Sequence, residues 1–140
     1  MDIVELNWRG AYLYKRAREV LAGENVGIYL ITGKRGSMLE TILLIGQAYD
    51  QYLYQRLADH KMVAEVYSGQ CYVRFGTFVS RISRQRLKDV ERLLVFVYQP
   101  RLNTIGKDLY KGRDLQIISR GQCGPINSIV RPVIYNPMND

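Results

Sequence analysis

Arg56 and His60 are a pair of side chains whose types and spacing favour chemistry on an anion. They lie four residues apart in a segment without glycine or proline, residues 47–62. The apolar side chains of this segment recur at helical spacing: Tyr49, Leu53, Leu57 and Ala58. Residues i and i+4 share a helix face, so the guanidinium and the imidazole project to the same side. Such a placement is costly unless the pair serves a purpose; the alternative is an amphipathic helix edge with a structural histidine.

Glu91 raises a different question, because the pattern places it on the apolar flank of a later helix. It lies four residues after Leu87 and three before Leu94. A partly buried carboxylate is unfavourable unless it is paired or binds a cation. Two interpretations remain open at this point: an ion pair with a basic side chain such as Arg56 or Arg84, or a bound metal ion.

The elements that must position these side chains follow from the hydrophobic pattern and its breaks. The first half predicts a helix at Ala11–Leu21, a strand at Val26–Thr32, a turn at Gly33–Gly36, a strand at Thr41–Gly46 and the helix at 47–62. The second half predicts a strand at Cys71–Phe78, a helix from Ser83 to about Val97, and strands near Leu115–Ser119 and Ile129–Tyr135.

The helix from Ser83 is the best defined of these elements, with a capping serine at its start and Gln99-Pro100 at its end. We expect its buried face to consist of Leu87, Val90, Leu94 and Val97. This order of elements predicts one α+β domain over residues 1–140, a small, mainly antiparallel β-sheet flanked by helices.

Length and composition limit the class of protein. A chain of 140 residues accommodates one domain, and the sequence has no apolar run of about 18 residues, so no membrane span or membrane partner is expected. The start, Met1–Glu5, lacks the layout of a secretion signal. Cys71 and Cys123 have neither metal-ligand spacing nor the density of a disulfide framework. Together these features favour a reducing, cytoplasmic location.

The net charge of +7 is unevenly distributed along the chain. Residues 1–73 carry eight basic and eight acidic residues, whereas residues 74–140 carry twelve basic and five acidic residues. A cluster of arginine and lysine attracts polyanions through Coulomb steering and counterion release. The second half of the chain therefore favours a nucleic-acid partner, with a solvated basic surface as the alternative.

An ordered set of short motifs adds a family resemblance to this reading of the residues. The set consists of Gly27-Ile28-Tyr29, Leu44-Ile45-Gly46, Arg56, His60, Glu91 and Asn103 within Gln99-Pro-Arg-Leu-Asn103. In order and in the predicted elements that carry it, the set resembles the GIY-YIG superfamily of DNA-cleaving domains. The resemblance covers about residues 26–104, which leaves residues 1–25 as an N-terminal helical extension and residues 105–140 as a C-terminal extension.

The resemblance implies a metal-dependent endonuclease that hydrolyses phosphodiester bonds in DNA. It implies that Tyr29 activates the attacking water and that Arg56 binds the scissile phosphate. Glu91 would bind one divalent cation per site, Mg²⁺ or Mn²⁺. His60 would hydrogen-bond a phosphate oxygen or Tyr29. Asn103 would orient the other residues of the site without contacting the substrate itself.

The sequence departs from the family pattern in three ways. Leu44 replaces the second tyrosine, Gln47 stands where a basic residue often follows the second glycine, and the loop between the two motifs is longer. Tyr49, Tyr52 or Tyr54 could supply a substitute hydroxyl. These departures support two alternatives: a non-catalytic nucleic-acid-binding module on the same fold, and a domain whose basic face meets an acidic protein.

The resemblance also leaves substrate choice to segments outside the shared core. We expect basic side chains to contact DNA phosphates around the site: Lys34, Arg35, Arg81, Arg84, Arg86 and Lys88. The chain has no room for a large additional DNA-binding domain, so a homodimer or a partner subunit is the expected route to specificity.

Overall fold

The computed structural model describes residues 1–132, which form a curled β-sheet with helices on both faces. In chain order the elements of these residues are β1 (Asp2–Leu13), α1 (Tyr14–Val20), β2 (Val26–Lys34), β3 (Thr41–Tyr49), α2 (Leu53–Asp59), α3 (Lys61–Val66), β4 (Gln70–Phe78), α4 (Arg84–Tyr98), β5 (Leu115–Gly121) and β6 (Ile129–Val130).

The sheet has the strand order β3-β2-β4-β1-β5-β6 over the described residues, so β3 and β6 are its edges. The expected α+β class is confirmed, but the mainly antiparallel sheet is corrected to a mixed one. The reason is β1, which pairs antiparallel with β4 and parallel with β5. The remaining pairs, β2 with β3, β2 with β4 and β5 with β6, are antiparallel.

The N-terminal segment, expected to be helical, begins instead with the 12-residue strand β1. Burial alternates along this strand at Val4, Leu6 and Trp8, which is the two-residue period of a sheet with one buried face. Residues 11–13, predicted as helix, belong to this strand, and α1 begins only at Tyr14.

The other helical prediction that fails is the start of the segment at residues 47–62. Gln47 to Tyr49 continue β3, because Tyr49 pairs with Val26 and Gln47 pairs with Ile28 across the β2–β3 ladder. Cross-strand pairing overrides the apolar spacing that resembled a helix. The helix itself, α2, starts at Leu53, and His60 ends it and begins α3.

The remaining predictions in the described part agree with the structure except at three places. One is in α4, another is Gly33 and Lys34, which continue β2 instead of forming a turn, and the third is residues 131–132, which follow the end of β6. Ser83 caps α4 by accepting a hydrogen bond from the Arg86 amide at 3.1 Å. Val97 is 40% exposed, and Leu93 is buried in its place. The strands predicted near Val26, Thr41, Cys71 and Leu115 are present, and β6 begins at Ile129 as expected. The part of that last prediction from residue 133 to 135 lies outside the described residues.

Two hydrophobic cores lie on opposite faces of the sheet. In β2, Ile28 and Leu30 belong to the core beneath α4, whereas Tyr29 and Ile31 belong to the core shared with α1 and α2. This alternation follows from the two-residue period of a strand. The two faces are therefore both filled at β2 and β3, and α2 and α4 approach the β3 edge from opposite sides. No helix within residues 1–132 combines the length and the hydropathy needed to cross a bilayer.

Candidate active site at the edge of the sheet

Tyr29 lies in β2 on the α2 face, and its side chain is fully buried. The neighbouring residue across the ladder is Gly46 in the edge strand β3. A Cβ atom at position 46 would overlap the ring and hydroxyl of Tyr29. Glycine at this position therefore lets the phenol extend across β3 towards the edge of the sheet.

The hydroxyl of Tyr29 forms a hydrogen bond with Nε2 of His60 at 2.9 Å. His60 reaches this position because it ends α2, where the chain turns into α3. Burial, together with the charge of Arg56, lowers the pKa of the His60 imidazole from its ordinary value of 6.5. A neutral imidazole at neutral pH follows, and its unprotonated nitrogen can accept the phenol proton.

The phenol itself is a weak acid. Burial raises the pKa of Tyr29 to about 12, with the charge of Arg56 opposing this shift and the charge of Glu91 adding to it. Tyr29 therefore stays protonated at neutral pH, and it can deliver a proton only to a neighbouring base such as His60.

Arg56 lies one turn before His60 on α2 and is half-buried. Its Nε atom is buried, with no hydrogen-bond partner among residues 1–132. A buried guanidinium donor without a partner is costly, and an anion at this point would satisfy it. The predicted pairing of Arg56 and His60 on one side of the helix is thus present, with both side chains directed to the region of Tyr29.

Glu91 is half-buried on α4, on the other face of the sheet. Burial raises the pKa of its carboxyl above the ordinary value of 4.5, against the charges of Arg56, Arg92 and Lys88. None of the ion pairs within the described chain includes Glu91. The carboxylate thus has cations in its surroundings and none in direct contact.

Arg84, one of the two expected partners of Glu91, is engaged elsewhere. Its guanidinium lies 3.9 Å from the carboxylate of Asp50 and 4.4 Å above the ring of Tyr49. The other expected partner, Arg56, acts on Glu91 through its charge without forming an ion pair in the described part of the molecule. The interpretation of Glu91 as one half of a structural ion pair with Arg84 is wrong.

Asn103 closes the edge of the sheet beside these groups. Its Oδ1 accepts a hydrogen bond from the Ile45 amide at 2.9 Å, and its Nδ2 donates to the Ile45 carbonyl oxygen at 2.9 Å. The adjacent Leu102 amide donates to the Leu43 carbonyl oxygen at 2.9 Å. The side-chain amide therefore holds β3 immediately before Gly46, with one donor and one acceptor position left over.

A cavity of about 850 Å³ opens between α4 and the segment after Asn103. Its walls combine two carboxylates, Glu91 and Asp108, with three cations: Lys88, Arg92 and Lys111. Gln47 also lines it, and the Oε1 atom of that side chain is buried without a partner in the described residues. The cavity therefore offers an oxygen-rich and cationic surface in which an anion and a hard cation can both be held.

The donor set fits one weakly held divalent cation. The described residues contain no group of three His, Cys, Asp or Glu side chains that could enclose a metal ion. Mg²⁺ differs from metals that need such a cage, since it keeps several waters and binds one or two carboxylates together with substrate phosphates. Glu91 supplies the carboxylate, and Gln47 offers a second oxygen in the same cavity.

The basic residues expected to contact DNA are divided among several places. Lys88 lines the Glu91 cavity, whereas Arg81 and Arg86 line a separate cleft beside β1, where Arg86 pairs with Asp2 at 2.7 Å. Lys34 and Arg35 lie at the far end of the β2–β3 hairpin. Arg84 lies between, over Tyr49. The predicted set is therefore not one continuous surface.

Two cations of the cavity, Arg92 and Lys111, were not among the predicted site residues. Arg92 follows Lys88 by four residues on α4, so helical spacing alone would have found it. Lys111 comes from the long segment between α4 and β5, where the sequence has no periodicity that could position it.

The three nearby tyrosines do not restore the phenol that Leu44 removes. Tyr52 and Tyr54 stack on each other with ring centroids 5.7 Å apart, and Tyr49 lies beneath Arg84. Leu44 itself packs against the same core as Tyr29.

Comparisons with protein-family models, curated proteins and solved structures gave no match for this chain. Function must therefore be argued from the site itself.

Proposed function

We propose that this protein is a metal-dependent endonuclease that hydrolyses phosphodiester bonds in DNA, with a GIY-YIG type of site at the β3 edge. The observation that carries the proposal is the convergence of Tyr29, His60 and Arg56 from one face of the sheet with Glu91 from the other, where Glu91 has no ion-pair partner within residues 1–132. Each group is costly or unusual for a purely structural role, and hydrolysis of a phosphodiester uses all four.

The proton path runs through the hydrogen bond between Tyr29 and His60. A phenol with a pKa of about 12 is a poor base by itself at neutral pH. We therefore assign the attacking water to the phenol oxygen, which accepts the water proton as its own proton passes to Nε2 of His60. The lowered pKa of His60 keeps the imidazole neutral, and in the tautomer with its proton on Nδ1 the Nε2 atom is free to accept it.

Arg56 is the proposed ligand of the scissile phosphate. Its unpartnered Nε donor is buried beside Tyr29, so a phosphate oxygen there would gain a charge-assisted hydrogen bond in a region of low dielectric. Stabilisation of the charge that develops on the phosphate commonly contributes a few kcal/mol, about 3 kcal/mol for one donor.

Glu91 is the proposed ligand of one Mg²⁺ or Mn²⁺ ion, with Gln47 as a possible second oxygen donor. When bound, such an ion would polarise the phosphate and neutralise the leaving oxygen. The half-burial of Glu91 raises its pKa, whereas the charges of Arg56, Arg92 and Lys88 favour the ionised form that a metal requires. The three cations of the cavity would attract the DNA backbone to it.

The test is a cleavage assay with purified protein on plasmid, branched and single-stranded DNA, in Mg²⁺, in Mn²⁺ and in chelator. The proposal expects cleavage in either metal and none in chelator. Intact DNA in both metals with all three substrates would contradict it.

A homodimer or a partner subunit remains part of the proposal, as does a reducing intracellular setting, which agrees with the unpaired thiols Cys71 and Cys123.

A second candidate is a nucleic-acid-binding module that keeps the fold without turnover. Leu44 favours it, because that apolar side chain occupies the face where a second phenol would lie. This candidate predicts DNA binding that falls with salt and does not change when divalent cations are chelated. Binding without cleavage in either metal would select it over the nuclease.

A further inference from the structure

An apolar groove of about 400 Å³ lies along the β3 edge, outside the candidate site. Its floor is formed by α3 and the turns on either side of it, with Met62, Val66, Tyr67 and Leu102 as the main apolar surfaces. Met62 is 65% exposed, Val66 is 73% exposed and Leu102 is 45% exposed. Apolar side chains from separate segments that are exposed together mark a binding surface.

The helix α3 has no buried residue, which is unusual for a helix in a folded domain. Val63 and Ala64 are partly buried against the core shared with α2, whereas Met62 and Val66 are exposed and line the groove. Since most helices are stabilised by burying an apolar face, the exposed side chains of Met62 and Val66 leave the apolar face of α3 incompletely covered within residues 1–132.

The rim of the groove is cationic. Arg35 and Arg101 flank the apolar floor, and no acidic side chain lines it among residues 1–132. The Arg35 guanidinium lies 4.9 Å above the ring of Tyr67. Beyond Arg35 a smaller cavity of about 370 Å³ continues with Lys34, Ser68 and Tyr72, again without an acidic residue in the described part. The occupant must therefore carry negative charge along its length.

The groove is continuous with the candidate site. Leu102 lines both the groove and the Glu91 cavity, since it lies on the β3 edge with its amide bonded to the Leu43 carbonyl oxygen. Leu43 borders the groove and Gln47 borders the cavity. These positions are four residues apart in one strand, or about 13 Å.

We infer that this groove binds an unpaired strand of nucleic acid that extends from the proposed site along β3. Bases would pack on Tyr67 and Met62, and phosphates would meet Arg35 and Arg101. An unpaired strand has apolar base faces and one negative charge per nucleotide. The apolar floor of the groove is complementary to the base faces, and its cationic rim is complementary to the phosphates. A duplex hides its base faces. The inference rests on the proposed function, because the strand is taken to extend from the proposed nuclease site into the groove.

The test measures fluorescence anisotropy of a labelled oligothymidylate and of a blunt duplex, both in chelator so that nothing is cut. Tyr67→Ala should weaken oligothymidylate binding about tenfold and leave duplex binding unchanged, because the lost stacking involves only unpaired bases. Arg101→Gln should lower the salt dependence of oligothymidylate binding by about 0.7 in the log–log slope. Arg16→Gln, an exposed change on α1, is the matched control and should change neither.

Equal binding of oligothymidylate by the wild type, Tyr67→Ala and Arg101→Gln would overturn the inference. So would displacement of the oligonucleotide by an acidic peptide at the same charge concentration, which would assign the groove to a protein. Arg101 is exposed, so its variant keeps the test valid if Tyr67→Ala fails to fold.

The groove and the nuclease can fail separately. Metal-dependent cleavage with groove variants that bind normally would reject the groove alone. Groove-dependent binding with no cleavage in Mg²⁺ or Mn²⁺ would reject the nuclease alone.

Discussion

The two sides of the β3 edge differ in packing and in charge. On the α2 side, Tyr29 is fully buried and bonded to His60. On the α4 side, Glu91 is unpaired within the described residues and faces an open cavity lined with cations. Burial thus raises a pKa on each side, to about 12 for the Tyr29 phenol and above 4.5 for the Glu91 carboxyl. The two groups differ in access, because the Tyr29 side chain is buried and the Glu91 side chain lines an open cavity.

One strand edge can therefore separate proton transfer on the α2 side from metal binding on the α4 side. Proton transfer between Tyr29 and His60 is favoured where bulk water is excluded, whereas a hydrated metal ion must enter from solvent. Gly46 connects the two sides, because only a residue without a side chain lets the Tyr29 hydroxyl approach β3. Substitutions on one side at a time therefore separate the two contributions.

The largest effect is expected from Glu91→Gln. This change removes the proposed metal ligand while keeping the shape of the side chain, so we expect cleavage in Mg²⁺ to fall about a thousandfold. Single-turnover cleavage measures it. Glu19→Gln, which removes an exposed carboxylate on α1, is the matched control and should cleave at the wild-type rate. Equal loss in both variants would point to bulk charge instead of a metal site.

The next effect concerns His60 on the closed side. Because its pKa lies below 6.5 and the neutral form accepts the proton, the wild-type rate should rise with pH through that lowered pKa and then level off. His60→Gln should reduce the rate about a hundredfold and abolish this inflection. The measurement is single-turnover cleavage between pH 5 and 8. An inflection that persists in His60→Gln would remove His60 from the proton path.

Asn103→Ala should lower the free energy of unfolding by about 2 kcal/mol, since it breaks two hydrogen bonds that hold Ile45. Urea unfolding measures the loss. Asn25→Ala, at an exposed position, is the control and should stay within about 0.5 kcal/mol of the wild type. If the two variants are equally stable, the amide does not fasten the β3 edge.

The smallest effect is the dependence of stability on pH at Glu91. Because the folded-state pKa is raised, ionisation favours unfolding, and the cost appears as pH rises from the ordinary value of 4.5 through the folded pKa. Glu91→Gln should therefore melt about 2 °C above the wild type at pH 7 and at the same temperature below pH 4. Thermal melts at the two pH values measure this. A gain that is equal at both would contradict the burial of an ionised carboxylate.

Local patterns predicted much of the fold, and they failed where distant strands decide the outcome. The α4 helix could be predicted because Ser83, the apolar spacing and Gln99-Pro100 all lie within it. The parallel position of β1 could not, because it depends on pairing with β5, more than a hundred residues later. Gln47 to Tyr49 resembled a helix until their partners in β2 were known.

The site divides in the same way. Spacing alone marked Arg56, His60 and Glu91, since each relation lies within one helix. The sequence could not reveal that Arg84 lies over the ring of Tyr49, that the Asn103 amide hydrogen-bonds Ile45, or that Lys111 lines the cavity. These are contacts between elements, and no local period encodes them.

The central claim is that the two sides of the β3 edge act as one site, and a double-mutant cycle tests it most directly. Single-turnover cleavage in Mg²⁺ would be measured for the wild type, Tyr29→Phe, Glu91→Gln and the double variant. If both side chains serve one reaction, the double variant should be no slower than the slower single variant, because groups that act as a unit are not additive. Losses that multiply in the double variant would show two independent contributions and contradict the single site.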